Sequence, residues 1–299
     1  MFSGSIPALV TPFAATGDHV GGAFDEDAFR ALVDWQIGEG STALVACGTT
    51  GEAATMPAPE HFRVVRTCVD QASGRVPVIA GAGSYDSSVA AENLRAAADA
   101  GAAAALMVPP YYNRPSQEGI YRHFAVLAEA TPLPIVLYNV PGRTVTDIQP
   151  ATLIRIVTAF PEVFVGVKDA SGLMARVSLH RAEIGAAFCQ LSGNDDLALA
   201  FNAMGGRGCI SVTANVAPRL CADFQAACAA GDGVRALELH DRLFPLHDAM
   251  FADASPGPVK YAMTRVRAGF PQGIRMPMTW PGEAARDAVD FALAHAGLA

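Results

Sequence analysis

The chain has 299 residues, of which 51% are hydrophobic and 17% are charged, which allows one large barrel or two smaller domains. The net charge of −8 argues against a nucleic-acid partner, because surfaces that bind phosphates are normally basic. The sequence contains neither a membrane-spanning apolar run nor a secretory leader pattern, and its six cysteines form no C-x-x-C pair. We therefore expect a cytoplasmic protein without a membrane partner.

Eight short apolar runs in chain order predict eight β-strands. Most of them lack polar alternation, as expected of strands that are buried on both faces of a parallel sheet. The predicted strands cover residues 6–11, 43–47, 76–81, 104–108, 134–138, 163–168, 189–192 and 209–213.

Helical patterns separate these runs, for example at 25–39, 59–72, 86–100 and 117–130. Gly40, Gly74 and Gly101 stand where left-handed helix ends are expected, and Asp86 and Ser116 stand at N-cap positions. Eight strand–helix units favour a closed (β/α)8 TIM barrel over an open doubly wound sheet, which usually has fewer strands.

The last 68 or so residues contain only helical patterns, at 233–254, 258–268 and 283–296. The sequence thus predicts an α/β chain with two domains: a barrel over 1–231 that carries the active site, and an all-helical domain over 232–299. We interpret the second domain as a cap or an oligomerisation element without chemistry of its own.

Lys168 is one of only two lysines, against 19 arginines, and it lies in the apolar run 163–169. Alternation with period two predicts that Phe164, Gly166 and Lys168 face the barrel interior, with Gly166 leaving space beneath the lysine. A desolvated lysine can lose its proton and form an imine with a carbonyl, which an arginine cannot. The alternative is a strand-end lysine whose ammonium reaches water.

Polar groups follow several predicted strands, at the end where a barrel of this type carries its active site. The segment 48–52, Gly-Thr-Thr-Gly-Glu, suits a carboxylate, because its backbone amides can approach a ligand. Its alternative is an ordinary turn with a threonine cap. Tyr112 and Tyr138 are candidates for proton transfer, although paired aromatic residues also serve packing.

The sequence gives no sign of a resident metal or cofactor. Asp195 and Asp196 follow the seventh strand without a nearby histidine, so we interpret them as a helix cap rather than metal ligands. The histidines form no H-x-H or H-x-x-x-H pair for zinc. Gly81 and Gly83 lack the third glycine of a dinucleotide-binding loop.

Four motifs in order, at 48–52, 111–115, 138–141 and 166–172, resemble the dihydrodipicolinate synthase and N-acetylneuraminate lyase family of class I, pyruvate-dependent lyases. The segments 1–6 and 210–216 are similar to the dihydrodipicolinate synthase branch. The resemblance spans the chain and implies a barrel with a C-terminal helical domain. It also implies a homo-oligomer, usually a tetramer built as a dimer of dimers.

The resemblance implies a role for each matching residue. Lys168 would form an imine with pyruvate, and Thr50 would hold the pyruvate carboxylate. Tyr138 would transfer protons through Thr49 to Tyr112, which the adjacent subunit supplies in this family.

On the same resemblance, the Ile210 carbonyl would face pyruvate and Arg143 would bind the carboxylate of the second substrate, L-aspartate 4-semialdehyde. The imine forms on the protein itself, so no cofactor is implied. The implied function is the condensation of these two substrates to 4-hydroxy-tetrahydrodipicolinate, in the biosynthesis of diaminopimelate and lysine.

One departure from the family concerns inhibition by lysine. Inhibited members hold lysine with a histidine, an asparagine and a glutamate at positions that correspond here to Ala58, Tyr85 and Val89. His61 and Tyr111 remain, but the carboxylate that should meet the inhibitor's amine is missing. The sequence therefore predicts weak or no inhibition by lysine.

Two other functions remain open from the sequence. A related class I lyase could act on a sugar acid or a 4-hydroxy-2-oxo acid, because loops outside the motifs set the substrate. A barrel that only binds partners would have no need for the lysine, the tyrosines and the threonines together.

Overall fold

The computed structural model describes residues 2–15 and 22–298. Met1 and Ala299, which are the first and last residues of the two predicted domains, lie outside these ranges. Within these ranges eight parallel strands form one sheet in the order β1-β8-β7-β6-β5-β4-β3-β2. The strands are Gly4–Pro7 (β1), Leu44–Ala46 (β2), Val78–Gly81 (β3), Ala104–Met107 (β4), Ile135–Asn139 (β5), Phe164–Asp169 (β6), Cys189–Ser192 (β7) and Gly208–Ser211 (β8).

The sheet closes on itself between β1 and β2. Ala8 forms a parallel bridge with Val45, and the Leu9 amide donates to the Val45 carbonyl at 2.9 Å. The predicted (β/α)8 barrel is therefore confirmed. The first strand lies earlier than the predicted 6–11, because the chain after Pro7 follows the barrel wall through single hydrogen bonds rather than a regular ladder.

Helices alternate with the strands, and several predicted ends are confirmed. The Asp86 side chain accepts from the Ser88 amide at 2.7 Å, and Gly40 and Gly101 have the left-handed backbone expected of helix ends. The helices of the barrel are Glu26–Gly38 (α1), Ala58–Ala72 (α2), Ser87–Asp99 (α3), Gln117–Ala130 (α4), Pro141–Thr144 (α5), Pro150–Ala159 (α6), Ala175–Glu183 (α7), Ala198–Ala203 (α8) and Pro218–Ala230 (α9).

Three further helices follow, Gly233–Ala249 (α10), Gly257–Val266 (α11) and Glu283–Ala296 (α12). Helix α10 packs against both α9 and α12, so the C-terminal helices rest on the barrel. The boundary at residue 231 stays a prediction. Across the described ranges, no helix combines the length and apolar character needed to cross a bilayer.

The prediction of which β6 residues face the barrel interior is confirmed at the C-terminal end of the strand and wrong at its start. Lys168 pairs in register with Tyr138, and Gly166 pairs with Val136; both partners belong to the apolar cluster that fills the barrel. Phe164 instead belongs to the outer core, where its ring meets Phe124 at 5.8 Å between centroids. The cause is a register shift opposite Ile135 and Val136, which reverses the phase within the strand.

Gly166 does not leave empty space beneath Lys168. A Cβ atom at this position would lie 2.6 Å from the Cys189 carbonyl oxygen, so the glycine lets β6 and β7 approach closely. We expect Gly166→Ala to lower the free energy of unfolding by about 1–3 kcal/mol, as overpacking does, in urea unfolding. Gly38→Ala is the matched control, because nothing lies within 4 Å of its Cβ position. An equal effect of both variants would contradict the close approach.

Candidate active site

The centre of the candidate site is the pair of Lys168 and Tyr138 at the C-terminal ends of β6 and β5. Both side chains are buried, at 5% and 7% exposure. The Lys168 Nζ lies 4.2 Å from the centroid of the Tyr138 ring, over its electron-rich face. The adjacent strands therefore bring the predicted nucleophile and the predicted proton-transfer group into contact.

The predicted carboxylate-binding turn, residues 48–52, follows β2. Left-handed backbone at Cys47 and Glu52 bounds the turn, and the Gly51 amide donates to the Gly48 carbonyl at 3.1 Å. A Cβ atom on Gly51 would lie 2.9 Å from the Leu9 carbonyl oxygen, so the turn is pressed against the wall of the barrel. The Gly51 and Glu52 amides both donate to carbonyls within the turn, so an anion would be met by the earlier amides of the segment.

The two threonines of this turn have different surroundings. Thr49 is exposed and lines the main cavity, whereas Thr50 is buried at 6% exposure. One turn thus supplies a hydroxyl to the cavity and another to the packed end of the barrel. Ile210, on β8, is also buried and belongs to the apolar cluster inside the barrel.

Arg143 lies on α5, the single helical turn that follows β5, and its side chain is exposed along the main cavity. A network of hydrogen bonds and one ion pair fixes the chain that follows α5. The Asn139 side chain donates to Asp147 at 2.9 Å and accepts from the Ile148 amide at 2.9 Å. Arg176 pairs with Asp147 at 2.7 Å and holds the pKa of that carboxyl below its usual range.

The loop after β4 presents aromatic side chains outward. Tyr111 packs its ring edge-on against Tyr85 at 5.4 Å between centroids, and burial is the main cause that raises the pKa of Tyr111. Tyr112 is 90% exposed and adopts a left-handed backbone with φ 67°. Such a conformation in a bulky residue persists only where its surroundings impose it.

The main cavity has a volume of about 700 Å³ and lies at the C-terminal end of the barrel, between the segments after β2, β3, β4 and β5. Of the predicted site residues, Thr49, Tyr138 and Arg143 line it. Lys168, Thr50 and Ile210 are buried in the barrel end and do not contribute to its surface. Tyr112 does not line it either, so a single chain does not bring this phenol to the others.

Sequence reasoning assigned Asp195 to a helix cap after β7, and the structure places it elsewhere. Its buried carboxylate accepts from the Val212 amide at 2.9 Å and from the Thr213 amide at 3.3 Å. Asp195 therefore fixes the turn after β8, directly beyond Ile210. In residues 2–15 and 22–298 no cluster of three histidine, cysteine or acidic side chains is arranged to hold a metal.

The resemblance seen in the sequence is confirmed by comparison with known proteins. A 4-hydroxy-tetrahydrodipicolinate synthase of Rhizorhabdus wittichii is 64% identical over 299 residues, which covers all of both chains. One of Novosphingobium aromaticivorans is 63% identical over 298 residues, or 100% of this chain and 99% of the relative.

Among solved structures, the chloride-inhibited dihydrodipicolinate synthase of Acinetobacter baumannii complexed with pyruvate is 40% identical. It superposes with a TM-score of 0.94 over 100% of both chains. The profile of the Dihydrodipicolinate synthetase family matches residues 1–296. The chain belongs to the Dihydrodipicolinate synthetase family.

Proposed function

We propose that this lyase condenses pyruvate with L-aspartate 4-semialdehyde to 4-hydroxy-tetrahydrodipicolinate, through an imine on Lys168. The observation that carries the proposal is the contact between Lys168 and Tyr138, a buried amine 4.2 Å from the ring of a buried phenol. Family membership supports the same reaction. We further propose that the reaction needs no cofactor and takes place in the cytoplasm.

The first half of the reaction forms a nucleophile from pyruvate. The neutral Lys168 amine adds to the pyruvate C2 carbon, and loss of one water gives the imine. Thr50 and its neighbouring backbone amides hold the pyruvate carboxylate, and the Ile210 carbonyl faces the bound pyruvate. Tyr138 exchanges protons with the carbinolamine and then accepts the methyl proton whose loss from the imine gives the enamine.

The second half forms the carbon–carbon bond and releases the enzyme. The enamine carbon attacks the aldehyde carbon of the semialdehyde, and the resulting alkoxide takes back from Tyr138 the proton that the methyl group lost. The amino group of the same substrate then attacks the imine carbon, closes the ring and expels Lys168 as a free amine. In balance, one pyruvate and one semialdehyde yield one product and one water.

We propose that the active enzyme is a homo-oligomer, a dimer of dimers, in which Tyr112 of one subunit reaches Thr49 and Tyr138 of the next. The 90% exposure of Tyr112 in the single chain supports this, together with half-exposed Tyr85, which packs against the preceding residue, Tyr111. Exposed aromatic patches of this kind are typical of interfaces. The Tyr112→Phe variant and the Lys168→Ala variant, prepared separately, should therefore regain activity when they are mixed. Sedimentation of the mixture gives the oligomer size.

Arg143 is the group we assign to the carboxylate of the second substrate. Arg143→Met should raise the KM for the semialdehyde about 10- to 100-fold, the range for one hydrogen bond to a charged group, and leave the pyruvate KM within about twofold. Arg122→Met, on an exposed arginine of α4, is the control. An equal rise in both KM values would contradict the assignment.

The substrate class itself is tested by turnover. The proposal expects product from pyruvate and aspartate semialdehyde, and no measurable cleavage of N-acetylneuraminate or 2-keto-3-deoxygluconate. Faster cleavage of either sugar acid would establish instead a related lyase of the same family.

Inhibition by lysine is expected to be weak or absent. Ala58, Tyr85 and Val89 line the main cavity together with His61 and Tyr111, and no aspartate or glutamate of the described chain joins them. Lysine held by these residues would therefore find no carboxylate for the amine that the family's glutamate meets. Val89→Glu should increase sensitivity to lysine in initial-rate assays, with Val126→Glu on α4 as control. Half-inhibition of the unaltered enzyme at sub-millimolar lysine would contradict the prediction.

A further inference from the structure

Lys260, the second lysine of the chain, is completely buried, at 0% exposure. It lies on α11, in the helical region that sequence reasoning left without chemistry. Its Nζ donates to a carboxylate oxygen of Glu52 and to the Gly273 carbonyl at 2.7 Å. It also lies 4.6 Å from the centroid of the Phe13 ring. A residue of the C-terminal region thus reaches the last position of the 48–52 turn.

Both carboxylate oxygens of Glu52 are held from the C-terminal side. One accepts from Lys260, and the other accepts from the Arg275 amide at 2.9 Å. Glu52 itself has a left-handed backbone, with φ 59° and ψ 32°. A residue other than glycine keeps this conformation only when its surroundings determine it. The contacts of the carboxylate therefore help to hold the turn beside Thr49 and Thr50, together with the Thr11 hydroxyl, which donates to the Gly51 carbonyl at 2.8 Å.

Arg275 is fixed in its own right. Its guanidinium pairs with Glu60, at the start of α2, at 2.8 Å, and lies 3.9 Å from the centroid of the Phe13 ring. The pair with Arg275 lowers the pKa of Glu60. The segment that holds Glu52 is thus anchored to the barrel at a second point.

Stability alone gives no reason to keep this buried pair. Apolar residues of similar volume often stabilise a fold as well as a buried ion pair does, whereas removal of one partner leaves an uncompensated charge. Burial lowers the pKa of Lys260 to about 8, and the Glu52 carboxylate opposes that fall. Lys260 therefore needs the Glu52 carboxylate to favour its charged form. Glu52 in turn needs its carboxylate contacts to favour its left-handed backbone.

We propose that the Lys260–Glu52 pair positions the carboxylate-binding turn, so that the C-terminal helices set the affinity of the site for pyruvate. Lys260 and Glu52 are positioning residues, because neither lines the main cavity and both act through Thr49 and Thr50. The inference rests on the proposed function, in which this turn receives the pyruvate carboxylate.

The test compares Lys260→Met, Glu52→Gln and the double variant in the full-length enzyme. Lys260→Met should raise the pyruvate KM about 10- to 100-fold and leave the semialdehyde KM within about threefold. Because Thr49 shares the turn, kcat should also fall, but by a smaller factor than the rise in the pyruvate KM. The pyruvate concentration that half-saturates borohydride trapping at Lys168 should rise in parallel. The double variant should be closer to the unaltered enzyme in its free energy of unfolding than Lys260→Met is, because it leaves no unpaired buried charge. Its pyruvate KM should nevertheless stay raised, because the pair that positions the turn is absent.

The matched control is Arg265→Met, on the same helix as Lys260. It breaks the exposed ion pair between Arg265 and Asp290 of α12 and should change none of these values. A folded Lys260→Met enzyme with an unchanged pyruvate KM would overturn the proposal, and so would a loss confined to kcat. If Lys260→Met does not fold, Glu52→Gln decides by the same criteria. If none of the three variants folds, the pair is needed for folding itself and the proposal is overturned. Absence of any adduct in the unaltered enzyme would instead remove the proposed function.

Discussion

Lys168→Arg is expected to lower kcat by about 10⁴-fold or more, the scale seen when a catalytic nucleophile is removed. A guanidinium stays protonated at any working pH and cannot form an imine. An arginine also places nitrogen atoms over the face of the Tyr138 ring, where the Lys168 Nζ lies 4.2 Å from the centroid, so the barrel should still fold.

Initial rates with both substrates, together with thermal unfolding of the same preparation, measure this effect. Lys168→Arg should also fail to incorporate pyruvate on borohydride reduction. A folded variant that keeps more than about one hundredth of the kcat would show that Lys168 is not the nucleophile.

Tyr138→Phe is expected to lower kcat by about 10²- to 10⁴-fold, the contribution of a positioned acid–base group. The Tyr138 side chain is buried in the apolar cluster inside the barrel. A phenylalanine preserves that packing and the ring next to Lys168, so only the hydroxyl is lost. The melting temperature should therefore change little, while the rate falls.

Tyr111→Phe is the matched control, because Tyr111 lines the same cavity but lies against Tyr85 rather than Lys168. We expect its kcat to stay within about threefold of the unaltered enzyme, since no proton transfer depends on it. Equal losses in the two variants would contradict the assignment of proton transfer to Tyr138.

The barrel and its main strands could be predicted because both follow from local patterns. Apolar runs of strand length alternate with helical periods, and left-handed glycines such as Gly40 end helices where the sequence places them. The inward direction of Lys168 followed from alternation with Gly166. The direction of Phe164 could not be predicted, because a register shift depends on the neighbouring strand.

The part of the candidate site that lies at the ends of the strands could be predicted from the sequence. Lys168, Tyr138 and Thr49 could be proposed from the sequence because each stands at the end of an apolar run or directly after one. The contact between Lys260 and Glu52 was not predicted, because the two residues are 208 positions apart and no local pattern reveals such a contact. One signal was present: in a chain with two lysines, the second also stood next to an apolar residue, Val259.

The most direct test of the account is borohydride reduction of the unaltered enzyme with pyruvate, followed by peptide mapping. Imine formation releases one water and reduction adds two hydrogens. The account therefore predicts one adduct per chain, with the mass of pyruvic acid less one oxygen atom, located on the peptide that contains Lys168. An enzyme that turns over both substrates without this adduct, or that carries it at Lys260, would contradict the central claim.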